Sequence, residues 1–500
     1  MKTTLSVSAF HGIHDSCVTF ANHQHILLHL EAERISRRKH DSLNAADMEN
    51  LILTGLRYLD LEPDCIDEFL VAKLGDPLEG KSRAIGGYEL EVTQTGHHLN
   101  HIGTILSELS LPALIVCADG GSEDGTTRLY SMDSVGHLSI LEDLDQTPLN
   151  GRFYGTLTQL LIDPDFLKAH AHYPGKTMGL AAYGNDDIYL REWLARSWQY
   201  LNTYYGDGND LYPLRSALGL STDYESPWLY PRTCDVARNA QQLWIEWFLH
   251  KLSGYAHSFR TIALTGGCAL NVVLNTAISE SGMFDKVVVG PASSDSGQSL
   301  GALLWRNPKL TLKLPFLGRG GPDLDECPTH LVDDLLSGKV VAWFEGRSEI
   351  GPRALGHRSI LCLPFPVSQK DRINHLKGRE PYRPIAPMIR ECDLKRFFYT
   401  NTPSPYMTFA PLANRETQLR APAIVHYDGT SRLQTIRPET HKALHSALDS
   451  LNEAIGIPIL CNTSFNFAGE PIVDTADDAL RNFSNSNLDI MYIDGERFSR

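Results

Sequence analysis

The chain has 500 residues, 42% of them hydrophobic and 21% charged, with 45 basic against 60 acidic side chains and a formal net charge of −15. That length exceeds one ordinary domain, so two or more are expected, and the composition excludes extended disorder and fibrous repeats. The acidic total argues against nucleic acid and anionic membrane surfaces as partners, although a local basic cleft is compatible with it.

The opening stretch is too short and too polar for a signal peptide and reads as a first strand. TLSVSAF, the turn HGIHDS, CVTFAN and HILLHLEAERI make an antiparallel meander of three strands. Met48, Leu51, Ile52, Leu56 and Leu59 then repeat at helical spacing. In TGHHLNHIGTILSEL the stripe Ile102, Ile105, Leu106 and Leu109 predicts a helix beginning near Gly96, which places His97 and His101 one turn apart on one face and turns His98 elsewhere. Farther on, three apolar runs precede small-residue turns: ALIVCA before DGGSEDG, TIAL before TGGCALN, and KVVV before GPASSDSG. An α/β architecture follows, with ligands expected at the carboxyl ends of these strands. PFLGRGGPD, residues 315–323, is a boundary candidate, after which basic residues concentrate. No stretch reaches the roughly 18–20 apolar residues that span a bilayer. The nine cysteines form no C-x-x-C pair and read as reduced core thiols, as expected of a cytoplasmic protein. No internal repeat is visible.

Two imidazoles one helical turn apart can grip a metal ion, but the same spacing fits two ordinary helix histidines. Asp119 and Asp295, each after a buried-strand run, could complete a mixed nitrogen and oxygen set suited to a divalent transition metal; either alone is also a common turn residue. The three small-residue loops allow backbone N–H groups to approach phosphate, so a nucleotide cleft is expected. Toward the C-terminus, Arg347, Arg353 and Arg358, then Lys377, Arg379 and Arg383, then Arg432, suggest recognition of carboxylate or phosphate. Ser464 and Asn466 follow the apolar run IPIL as small hydrogen-bonding groups.

In order, HGIHDS, EAERISRRKHD, GHHLNHIG, DGGSEDG, GKTMGLAAYG, GGCALN, DSGQSLGA, EIGPRALGHRSI, KGREPYRPIAPM, SPYM, DGTSRLQT and NTSFNFAGEPIV resemble, nearly end to end, the O-carbamoyltransferases of nodulation-factor and antibiotic biosynthesis. The resemblance implies an α/β chain in two parts. Residues 1–320 would form a two-lobed, actin-like ATPase domain that transfers the carbamoyl group, and residues 335–500 a YrdC-like domain that makes carbamoyl-adenylate. His97, His101, Asp119 and Asp295 would hold a divalent metal, with iron(II) implied. Gly120, Gly121, Gly266, Gly267 and Asn271 would line the nucleotide pocket. His14 and Lys39 would lie beside the carbamoyl group and the acceptor hydroxyl, His14 as the base. Arg353, Lys377, Arg383, Arg432, Ser464 and Asn466 would bind carbamoyl phosphate and ATP, the latter with magnesium. The acceptor would be a hydroxylated small molecule. DGGSEDG and TGGCALN depart from the family pattern by an extra acidic residue and by Cys268.

Two other readings compete. An actin-like small-molecule kinase explains the glycine loops but neither the C-terminal basic motifs nor the histidine pair, and it would release ADP in place of AMP. A nucleotide-binding regulator without catalysis leaves the assigned metal and phosphate residues unexplained.

Overall fold

The computed structural model describes residues 2–8, 14–72, 82–165, 167–203 and 211–500, so residues 11–13 of the predicted HGIHDS turn lie outside the described residues. The chain divides into two compact units, one of Met1–Leu106 with Asp295–Arg500 and one of Ser107–Ser294.

In the first unit, β1 (Thr3–Ser8), β2 (Cys17–Ala21) and β3 (Ile26–Glu31) form the expected meander. Beside β1 run β4 (Ile66–Ala72) and β6 (Tyr88–Thr95), both parallel to it, with β5 (Ser82–Ile85) antiparallel at the edge. Burial on both faces explains the near-continuous apolar runs of β1, β2 and β4. The helix Ala45–Tyr58 covers one face with Met48, Leu51, Ile52 and Leu56, and Asn44 caps it by accepting from the N–H groups of Ala46 and Asp47. The helix Gln298–Arg306 packs against β1, β2 and β4.

The second unit repeats this plan. β7 (Ala113–Ser122), β8 (Gly125–Met132) and β9 (Leu138–Asp143) form an antiparallel meander, and β10 (Thr261–Thr265) and β11 (Lys286–Val289) add on beside β7 in parallel. The sequence showed no repeat, yet both units carry three antiparallel strands followed by two parallel ones. A shared topology needs shared burial patterns, not shared residues.

The C-terminal part of the first unit holds a seven-stranded mixed sheet, made of β12 (Val341–Phe344), β13 (Arg358–Cys362), β14 (Ala386–Arg390), β15 (Gln434–Ile436), β16 (Ile459–Ser464), β17 (Ile490–Ile493) and β18 (Glu496–Ser499). Their spatial order is β15-β14-β16-β13-β12-β17-β18. Apolar residues pack on both of its faces.

Two details differ from expectation. The DGG segment is not a loop beyond the strand: β7 runs through it to Ser122, with the register slipping between Ala118 and Ser122. The histidine helix spans only His97–Gly103, and Leu106–Glu108 form a separate 3₁₀ turn. All nine cysteines are free thiols, and among the described residues no helix is long and apolar enough to cross a membrane.

Candidate active site

The helix His97–Gly103 starts at Gly96 and buries all three of its histidines. Glycines decide what it meets. A methyl on Gly103 would overlap the Gly301 carbonyl, and one on Gly301 the Asn100 carbonyl, so this helix and Gln298–Arg306 touch backbone to backbone. Gln298 strengthens the contact by donating to the His97 carbonyl at 3.2 Å. Asp295, just ahead of the second helix, is thereby carried to the histidines. Its Oδ1 lies 3.5 Å from His97 Nε2 and 3.4 Å from His101 Nε2, and the two Nε2 atoms are 3.1 Å apart. Asp295 Oδ1 is buried and receives no hydrogen bond from the described residues. Two imidazole nitrogens and an unsatisfied carboxylate oxygen, all within 4.8 Å of one another, fit a divalent transition metal. Cys17 contacts the Asp295 carbonyl at 3.6 Å, but burial pushes its thiol up to about 12, so it stays a neutral donor.

A second group adjoins this one. His14 Nδ1 is 3.0 Å from Asp15 Oδ2 and 3.9 Å from Asp295 Oδ2. The other Asp15 oxygen lies 2.7 Å from His40 Nδ1. Burial raises the Asp15 carboxyl, but the two imidazoles, His40 foremost, outweigh it and hold the group below the usual carboxylate range. Asp15 therefore stays ionised and fixes the ring of His14. Neither Asp15 nor His40 stood out in the sequence, although each lies beside a residue that did, in HGIHDS and RRKHD. Lys39 is exposed at the end of the same segment, and its charge reaches Lys377.

All six residues expected to bind carbamoyl phosphate and ATP come together at the C-terminal sheet. Lys377, buried at 5% exposure, donates to the carbonyl of Ser464, to the Asn466 carbonyl at 2.7 Å and to Asn466 Oδ1 at 2.8 Å. Ser464 Oγ donates to Asn466 Oδ1 at 2.6 Å. Burial, then the charges of Arg379, Lys39 and Arg383, hold the Lys377 ammonium well below its ordinary value. Arg432 is depressed likewise by burial and by Arg353, Arg379 and Arg383. Burial and Arg383 lower Arg353 to about 10, and burial and Arg383 lower Arg379 to about 9. Arg379, which the basic motifs included but the family resemblance did not, thus joins the cluster. Glu380, 3.5 Å from Arg383 and raising Arg379, offsets part of this charge, and an anion bound among the cations would offset more.

In the second unit, Gly266 has φ +85° and a methyl there would overlap the Ala118 carbonyl, while one on Gly267 would lie 2.9 Å from Asp119 Oδ1. The TGG turn therefore rests directly on the β7 segment that carries Asp119, Gly120 and Gly121. Asp119 Oδ1 accepts from the Gly120 N–H at 2.7 Å. Asn271 caps the helix Val272–Glu280 through the Leu274 N–H and donates to Gln241 at 2.9 Å.

Comparison with known proteins decides among the readings. Residues 87–304 match the family described as carbamoyltransferase N-terminus, and residues 332–500 that described as carbamoyltransferase C-terminus. Nodulation protein NolO of Bradyrhizobium diazoefficiens is 34% identical over 75% of this chain and 73% of its own length. The chain belongs to the carbamoyltransferase family. A 3'-hydroxymethylcephem-O-carbamoyltransferase of Amycolatopsis lactamdurans is 28% identical over 94% of this chain and 95% of its own. Nodulation protein NolNO of Sinorhizobium fredii is 28% identical over 95% and 78%.

Within this carbamoyltransferase, two arginines of GRSEIGPRALGHRS do not serve anions. Arg347 donates to the carbonyls of Gly318, Leu27 and Leu317 at 2.6–2.8 Å. Arg358, fully buried, donates to the carbonyls of Glu345, His357, Gly346 and Arg319 at 2.7–3.0 Å. Both act as backbone clamps, and of the three only Arg353 belongs to the cation cluster. Arg432, whose Nε is buried and has no hydrogen-bond partner among the described residues, is the clearest case of strain that an anion would relieve. Arg432→Met is expected to raise the ligand-free stability by about 1 kcal/mol and to abolish the further rise that phosphate gives the parent chain. Urea unfolding with and without phosphate measures both; a variant destabilised under both conditions would show that Arg432 is a structural cation.

Proposed function

We propose that the chain makes carbamoyl-adenylate from carbamoyl phosphate and ATP and transfers the carbamoyl group to a hydroxyl of a small molecule. In this reading residues 335–500 are the YrdC-like synthase part and residues 1–320 the two-lobed actin-like part. The repeated meander with two parallel strands supports the two lobes. The observation that carries the proposal is the gathering of Arg353, Lys377, Arg379, Arg383 and Arg432 beside Ser464 and Asn466, where burial first and neighbouring cations second lower Arg353, Lys377, Arg379 and Arg432.

The chemistry calls for such a cluster. A carbamoyl carbonyl is a poor electrophile because its nitrogen donates into it, so the group needs a better leaving group. Water hydrolyses carbamoyl phosphate to carbamate and inorganic phosphate, a carbamate oxygen then bonds to the α-phosphorus of ATP, and pyrophosphate leaves with the electron pair of the broken P–O bond. Lys377 and the arginines offset the negative charge that builds on these oxygens. In the second step the acceptor oxygen bonds to the carbamoyl carbon and AMP departs with the electrons of its C–O bond. His14, with Nδ1 held by Asp15, takes the acceptor proton at Nε2. Lys39 stands beside the transferred group. Gly120, Gly121, Gly266, Gly267 and Asn271 take the nucleotide. A divalent metal held by His97, His101 and Asp295, with Asp119 as the fourth ligand that the family resemblance implies, would supply a Lewis-acidic anchor for the phosphate; iron(II) suits the donor set.

Incubation with ATP, magnesium, carbamoyl phosphate and a panel of hydroxylated metabolites is expected to release AMP and pyrophosphate in step with a product heavier by one carbamoyl group, followed by mass spectrometry. Release of ADP with a phosphorylated product would replace this reading with that of a kinase.

A further inference from the structure

Against the segment that holds Asp119 lies a cation that no motif announced. Arg152 is the second residue of the helix Gly151–Leu161, whose N-cap Asn150 accepts from the Phe153 N–H at 3.0 Å. Arg152 Nε donates to the Gly120 carbonyl at 2.9 Å. Gly121, at φ +138°, leaves room for it: a methyl there would lie 2.7 Å from Arg152 Nη2. Gly151 is pressed equally close, since a methyl on it would lie 2.8 Å from the Gly120 nitrogen. The guanidinium thus occupies the space where Gly121 lacks a side chain, on a segment that the Gly266–Gly267 turn touches from another direction.

This arrangement answers an electrostatic question that the glycine turns leave open. Small residues let a phosphate approach the backbone, but they supply no side-chain cation, and the Asp119 carboxylate on this segment repels an anion, a repulsion that a metal held by it would offset only in part. A guanidinium fork offsets that repulsion and matches the spacing of phosphate oxygens. The bond from Nε to Gly120 fixes the plane of the fork before any ligand arrives, so little rotamer freedom is left to lose on binding.

We propose that Arg152 is a phosphate-binding residue of the second unit, contacting the phosphate of a bound adenylate and offsetting its charge as AMP leaves. The proposal rests on the reading that Gly120, Gly121, Gly266 and Gly267 line a nucleotide site.

The test compares AMP with adenosine, which differ by the phosphate alone. Both are titrated calorimetrically into the full-length Lys377→Ala protein, which weakens the competing phosphate site at the C-terminal sheet, and into the same protein carrying Arg152→Gln or Arg152→Lys. Arg152→Gln is expected to weaken AMP about tenfold to a hundredfold, as for the loss of a charge-assisted hydrogen bond, and to leave adenosine within about twofold. Arg152→Lys, which keeps the charge but not the fork, is expected to fall between. Unchanged AMP binding in both variants, or equal losses for AMP and adenosine, would overturn the proposal and leave Arg152 as a brace for the glycine segment. Thermal unfolding shows whether each variant is folded, and the lysine variant keeps the comparison available if the glutamine variant is not. If the Lys377→Ala protein binds neither ligand, the nucleotide-site reading itself fails and takes Arg152 with it.

Discussion

Lys377→Ala is expected to lower carbamoyl-adenylate synthesis by about 10²–10³ while leaving transfer from supplied carbamoyl-adenylate within a few fold. Lys377 organises the anion site from its centre, since its ammonium ties together Ser464 and Asn466 and bears the charges of Arg379, Lys39 and Arg383. Its loss removes the ammonium that ties Ser464 and Asn466 to the cations and leaves the two residues held by their mutual bond and by the bond from Asn466 Nδ2 to the Glu470 carbonyl. Two opposing terms keep the variant folded. The Ser464 and Asn466 acceptors lose a partner, at about 1–3 kcal/mol, while the remaining guanidiniums lose a repelling neighbour, a gain of similar size. Pyrophosphate release reports the first step and carbamoylated product the second. Equal losses in both assays from a protein with unchanged unfolding behaviour would show that one site performs both steps.

The sheets and the two histidines were legible because they depend on local order. Runs such as ALIVCA and KVVV carry the burial of a parallel strand in their own composition, and a four-residue spacing places His97 and His101 on one helical face wherever that helix lies. Their meeting with Asp295 was expected from the family resemblance, but local order alone could not show it. It depends on Gly103 and Gly301, far apart in the chain, letting two helices touch through their backbones, and a glycine inside a helix does not name its partner. Arg347 and Arg358 misled for a related reason: their charge was visible, but the carbonyls they satisfy come from turns at Gly318, Gly346 and Arg319, which exist only in the folded chain. Asp15 and His40 escaped notice because an Asp and a His in separate polar motifs become a pair only when the turn ahead of β2 meets the segment that follows β3. The duplicated topology was hidden because strand order is set by which faces are buried, a property that many unrelated sequences satisfy.

His101→Ala is expected to reverse the phenotype of Lys377→Ala, with synthesis retained, transfer lowered by at least about a hundredfold, and bound transition metal reduced to a small fraction of one equivalent by elemental analysis. His101 is fully buried, and its Nε2 faces both His97 Nε2 and Asp295 Oδ1. Without a cation, one ring must donate a proton to the other and Asp295 Oδ1 has no donor from the described residues, so the ligand-free arrangement leaves polar capacity unused. Removing one imidazole then costs the protein in chelator little beyond a cavity, and the backbone contact of Gly103 with Gly301 holds the helices in place. The loss should appear instead in linkage. A ligand present at 100 times its dissociation constant stabilises a folded protein by about 2.7 kcal/mol, and His101→Ala should forfeit that increment while unfolding in chelator almost as the parent does. His101→Gln, closer in volume but without an imidazole nitrogen, should behave alike. A variant that keeps its metal and its transfer rate would remove His101 from the ligand set. One that loses stability equally with and without metal would make the histidine pair a structural feature of the helix.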